Sequence, residues 1–117
     1  MDQPLLSFEQ RGAVSVGHVH LAELVHPDDL ARISREFREH TLADQARAYV
    51  LDLSALTYLT SAAIGMLINT HAHLAARNVR FALVASGGLV AEILGHTHLE
   101  TIIPIHSTVD EAVARLT

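Results

Sequence analysis

Apolar residues recur along this chain with two different spacings, and the change from one to the other marks its elements. Residues 5–10 alternate loosely and predict a first strand. Arg11-Gly12 signals a turn, and residues 13–19 predict a second strand with Val14, Val16 and Val19 as apolar members, so the pair reads as a hairpin. Pro27 stands where a helix would begin, followed by Asp28 and Asp29, whose charge suits the positive end of a helix dipole. Leu30, Ile33 and Phe37 then share one face, while Arg32, Arg35, Glu36, Arg38 and Glu39 decorate the rest, which predicts a docked surface helix.

The second half has a different texture. Residues 49–53 and 79–85 are short, mostly apolar runs of the kind covered on both sides in a parallel sheet. Between them a helix is expected over about residues 61–76, with Ile64, Leu67, Ile68, His71, Leu74 and Ala75 as its inward stripe and Asn78 as its stop. Strand, helix and strand together make a right-handed crossover unit. Ser86-Gly87-Gly88 reads as a turn, and residues 89–94 as a short helix ended by Gly95. Residues 101–105 read as a short strand that Pro104 confines to an edge or ends. Ser107 or Thr108 caps a last helix with Val109, Val113 and Leu116 on one face.

Composition narrows the function classes. At 117 residues the chain predicts one domain, and with half of its residues apolar it can bury a core. No apolar run is as long as a membrane span, and the first residues lack the layout of a signal peptide, so a cytoplasmic protein is expected. There are no cysteines, which removes disulfides, thiol catalysis and thiolate metal sites. The net charge is −5 and no block of Lys or Arg occurs, which argues against a nucleic-acid surface.

Three groups of residues could carry chemistry. Thr60 and Ser61 open the central helix. A hydroxyl there is either a cap, whose oxygen accepts a backbone N–H, or a place for a phosphate, whose charge the helix start tolerates. Six of the nine histidines form His-x-His pairs: His18/His20, His71/His73 and His96/His98. On a strand the first pair would face one way and could chelate a metal; on a helix the second pair would point apart. No carboxylate or cysteine stands at a supporting spacing, so surface or half-buried histidines are expected and no metal site. A Ser61, histidine and Asp52 triad lacks the Gly-x-Ser-x-Gly elbow, and two glycines in Ser86-Gly87-Gly88 are a weak phosphate signal. The residues therefore suggest no enzyme and no cofactor.

The stretch VLDLSALTYLTSAAIGML (residues 50–67) resembles the STAS domain, a family named for sulphate transporters and anti-sigma factor antagonists. Residues 79–84 with the turn behind them, Ile93-Leu94 with Leu99 and Ile102-Ile103, and a closing helix with Glu111-Ala112 extend the resemblance over nearly the whole chain. It implies an α/β fold, a mixed sheet of about four to five strands flanked by about four helices. It also implies an anti-sigma factor antagonist that binds an anti-sigma factor with serine kinase activity and so frees a sigma factor. Phosphorylation at the position of Ser61 ends that binding until a phosphatase restores it, with Thr60 as an alternative acceptor. The partner surface implied is Thr60, Ser61, Ala62, Ala63 and Met66, with Gly65 allowing close approach and Gly17, His18 and His20 beside them. Three positions depart from the pattern: Thr60 replaces a frequent Asp, Ala63 a usual Gly, and His20 an Asp, the second placing a methyl on the expected docking surface. A scaffolding STAS subunit of a stress-signalling or lipid-transport complex, with no phosphate cycle, is the alternative, and a weak nucleotide-sensing domain a further one.

Overall fold

The computed structural model describes residues 4–117. In chain order it contains β1 (Leu6–Arg11), β2 (Val14–Val19), β3 (Glu23–Leu24), α1 (Pro27–Ala43), β4 (Ala48–Asp52), β5 (Tyr58–Leu59), α2 (Ser61–Ala76), β6 (Arg80–Val84), α3 (Gly88–His96), a 3₁₀ turn (Leu99–Thr101), β7 (Ile105–His106) and α4 (Val109–Leu116). Five strands form one mixed sheet in the order β1-β2-β4-β6-β7, and β3 pairs with β5 in a separate two-stranded piece. β1 runs antiparallel to β2 through a turn at Gly12, whose φ of 66° favours glycine. All other pairings in the main sheet are parallel.

Period-two alternation splits the strands between two cores. Tyr49, Leu51, Leu53, Phe81 and Leu83 face a large core shared with Ile33 and Phe37 of α1, Leu67 and Leu74 of α2, and Val90 and Leu94 of α3. Val14, Val16, Ala48, Val50 and Val84 face a smaller core closed by Ala112 of α4. β4 is therefore buried at every position, as a strand covered on both sides must be. The amphipathic α4 is pinned at its N-terminal end: Arg11 pairs with Asp110 at 2.7 Å, and the Thr108 hydroxyl accepts from the Glu111 N–H at 3.1 Å. Thr108, not Ser107, is thus the cap.

Several expected details differ. The strand expected over residues 101–105 starts only at Ile105, because His98 takes a left-handed conformation (φ 54°) and turns the chain into the 3₁₀ segment that includes Thr101. Gly95 does not end α3, which continues to His96 and closes on Thr97. On α2, Ala75 is exposed rather than inward, since the core beneath that face ends at Leu74. The two-residue strands β3 and β5 have no sequence signal at all.

Candidate functional site

The chain leaves β4 at Asp52 and reaches α2 through a connection held down by buried Leu53, Leu56 and Leu59. A second tie comes from the loop after β2. The Thr57 N–H and hydroxyl both donate to the Ala22 carbonyl, at 2.6 and 3.0 Å, and the Thr60 N–H donates to the Leu24 carbonyl at 3.3 Å. Paired with Leu24↔Leu59 and Glu23↔Tyr58 in parallel register, these bonds fix where α2 begins. Glu23 and Tyr58, both exposed, consequently flank the helix start.

At that start the two hydroxyls behave differently. Thr60 has extended backbone (φ −94°, ψ 169°), and its Oγ1 accepts from the Ala63 N–H at 3.3 Å, so Thr60 is the N-cap. Ser61 is the first helical residue, is exposed, and makes no side-chain hydrogen bond among the described residues. No acidic residue stands in the first turn of α2. The first N–H groups of a helix have no partner within it, and the helix dipole is positive there. The Ser61 hydroxyl thus stands where added negative charge meets free donors and no acidic side chain of the helix's own first turn.

The other expected contact residues divide. Ala62 is exposed, and Met66, one turn further on the same face, is half-buried. Ala63 is 0% exposed and belongs to the large core, so its methyl does not lie on a docking surface; it stands one turn before the buried Leu67. Gly17 is also buried, and a Cβ there would meet Phe8 Cε1 at 3.0 Å and Leu51 and Phe37 at 3.5 Å. Its hydrogen makes room for aromatic packing, not for a partner. His20 is exposed in the loop that leads into β3 and has its Nε2 2.6 Å from the Ser7 hydroxyl.

His18 lies on the face of the sheet opposite α2, because it continues the Val14–Val16 alternation toward α4. It is the register partner of Asp52, and the two side chains meet: His18 Nδ1 is 2.8 Å from Asp52 Oδ2 and its Nε2 is 3.0 Å from Glu9 Oε1. Asp52 also accepts from the Ser54 N–H at 3.0 Å and from the Ser54 hydroxyl. Partial burial pulls the His18 pKa down, but hydrogen bonds to Glu9 and Asp52, with their charges, outweigh it and raise the pKa above the ordinary value. Burial pushes Asp52 up, yet the Ser54 and His18 bonds hold it below the usual carboxylate value. A doubly donating imidazolium fits both sets of distances. This Glu9–His18–Asp52 chain was invisible to local spacing, since strand pairing alone assembles it. His18 and His20 have different partners and do not converge on one point, and no group of three or more His, Asp or Glu side chains arranged to hold a metal ion occurs among the described residues.

A STAS domain family model matches residues 28–112, most of the chain. Among solved structures the chain resembles an anti-sigma factor antagonist from Mycobacterium paratuberculosis, with 26% identity, 95% of this chain and 92% of that one covered, and a TM-score of 0.78. It also resembles an anti-sigma-factor antagonist (STAS) domain protein from Planctomyces limnophilus, with 22% identity, coverage of 96% and 97%, and a TM-score of 0.79. A third is the Bacillus cell fate determinant SpoIIAA in its phosphorylated form, with 16% identity, coverage of 96% and 99%, and a TM-score of 0.68. No curated protein sequence matches. No helix among the described residues is long and apolar enough to cross a membrane. With five strands and four helices in the expected mixed arrangement and a family model spanning residues 28–112, this chain belongs to the STAS domain family.

Proposed function

We propose that this protein is an anti-sigma factor antagonist that works by binding, not by catalysis, and that phosphorylation of Ser61 ends the binding. The observation that supports this most is the division of labour between adjacent hydroxyls. Thr60 is engaged as the cap, so modifying it requires breaking its bond to the Ala63 N–H. Ser61 is exposed and unengaged, at the positive end of a helix of 16 residues. A phosphate there brings about −1.5 to −2 charges to the surface without entering the core. An anti-sigma factor docked over Ser61, Ala62 and the edge of Met66 would then face a hydrated dianion. The partner class is the one named for the similar antagonists, and the kinase and phosphatase follow from the switch itself.

The test is a pull-down from native cell extract with wild type, Ser61→Ala and Ser61→Asp, read by mass spectrometry with phosphosite mapping. Wild type and Ser61→Ala should retain a kinase-type anti-sigma factor, Ser61→Asp should lose it, and phosphate should map to Ser61. If all three variants hold the same partner and no phosphate appears on Ser61 or Thr60, the domain is a scaffold and the hydroxyls serve only the helix.

A further inference from the structure

A second site lies away from the α2 start. Residues 34–42 of α1 and residues 69–77 at the end of α2 line a cavity of about 170 Å³. Phe37 and Leu74, both buried, form its floor, and Leu42, which is 66% exposed, forms an apolar wall. Arg38, His73 and Arg77 line it together with the neutral polar Ser34, Thr41, Asn69 and Thr70, and no Asp or Glu contributes. In a chain of net charge −5, a cavity with two arginines and no carboxylate is a local reversal of sign. Arg77 donates to the Thr41 carbonyl at 2.9 Å, and neither Arg77 nor Arg38 has an ion-pair partner among the described residues. A groove with an apolar floor and wall beside uncompensated cations complements a molecule with one anionic head and a short apolar body.

We infer that this groove binds a small amphipathic carboxylate, its head between Arg38 and Arg77 and its tail on Phe37, Leu42 and Leu74. The size sets the class. Pockets for drug-sized ligands are about 300–1,000 Å³, so a cavity of about 170 Å³ holds a short acyl or aryl acid and not a nucleotide. The site is independent of Ser61. Its α2 residues lie about 12 Å or more along the axis from the helix start, at about 1.5 Å per residue.

Titration of the ¹⁵N-labelled full chain with hexanoate, hexanol and hexylammonium tests this by amide chemical shifts. Hexanoate should saturate at millimolar concentration and move amides of residues 37–42 and 70–77. Arg38→Gln should weaken it about two- to fivefold, as expected for one exposed charge pair. Leu42→Glu, which removes the apolar wall and adds a repelling charge at an exposed position, should weaken it more. Ile102→Glu, an exposed apolar change elsewhere, should leave it unchanged. Equal binding of hexanol, shifts that map to another surface, a titration that does not saturate, or Arg38→Gln and Leu42→Glu variants that bind like wild type would each overturn the inference.

Discussion

Replacing Thr60 and Ser61 one at a time separates cap from surface hydroxyl by stability alone. In Thr60→Ala the Ala63 N–H loses its acceptor. The 3.3 Å bond is long, which by itself places the loss in the lower part of the range of about 0.5–2 kcal/mol for a cap. The setting moves it upward. Ala63 is 0% exposed, so water cannot readily replace the lost oxygen, and an unsatisfied buried donor costs about 1–3 kcal/mol. A loss of about 1–2 kcal/mol is therefore expected. Ser61→Ala removes a hydroxyl with no partner and puts the best helix former at a helical position, so its effect should lie between zero and a gain of a few tenths of a kcal/mol. For 117 residues the unfolding entropy is about 0.25 kcal/mol per kelvin, so Thr60→Ala should lower Tm by about 4–8 °C. Urea unfolding followed by circular dichroism at neutral pH should shift the midpoint without changing the slope, and Thr60→Ser should restore it. If Ser61→Ala loses as much stability as Thr60→Ala, Ser61 is a structural residue, and the assignment of roles at the helix start is wrong.

Other expectations follow from packing and titration. Gly17→Ala should cost about 1 kcal/mol, because its Cβ meets the Phe8 ring at 3.0 Å; the penalty should shrink in a Phe8→Leu background, and thermal melts showing an equal penalty in both would contradict the packing argument. His18 and His40 should show opposite pH dependence. The folded pKa of His18 is raised, so its contribution is fully present below about 6.5 and is lost as pH rises through the raised value. His40, which stacks on Phe8 with ring centroids 3.6 Å apart, is lowered by burial, against the opposing charge of Asp44. Its contribution is present above about 6.5 and is lost as pH falls through the lowered value. Denaturant titrations should thus find His18→Gln more damaging at acidic than at alkaline pH and His40→Gln the reverse; matching slopes for both would exclude these environments.

The elements with strong periodicity were legible in the sequence. α2, the hairpin, the two central strands and the start of α1 fall within a residue or two of expectation, since long amphipathic or doubly buried segments carry their own signal. Ala63 shows where the sequence misleads: the expected inward stripe leaves it out and the resemblance places it on the surface, whereas its position one turn before Leu67 puts it in the core. The resemblance places Gly17 beside the partner surface, whereas here the second strand needs a hydrogen beneath Phe8 and Phe37. The β3–β5 pair and the Glu9–His18–Asp52 chain had no local signature. Two-residue strands are too short for alternation, and the partners of His18 stand 9 and 34 residues away.

The way the helix start is anchored bears on how a switch could operate there. Leu53, Leu56 and Leu59 are buried, the Thr60 N–H is bonded to Leu24, and the Thr60 hydroxyl holds the first turn. None of these ties passes through the Ser61 side chain. A charge placed on Ser61 is therefore uncoupled from the core: it changes what the surface presents, not how the chain folds. On the proposed function, signalling through this position would be electrostatic and steric at the partner's side of the contact. Because the ties come from three different segments, the geometry of the exposed hydroxyl is set by the fold and does not depend on the partner to form it.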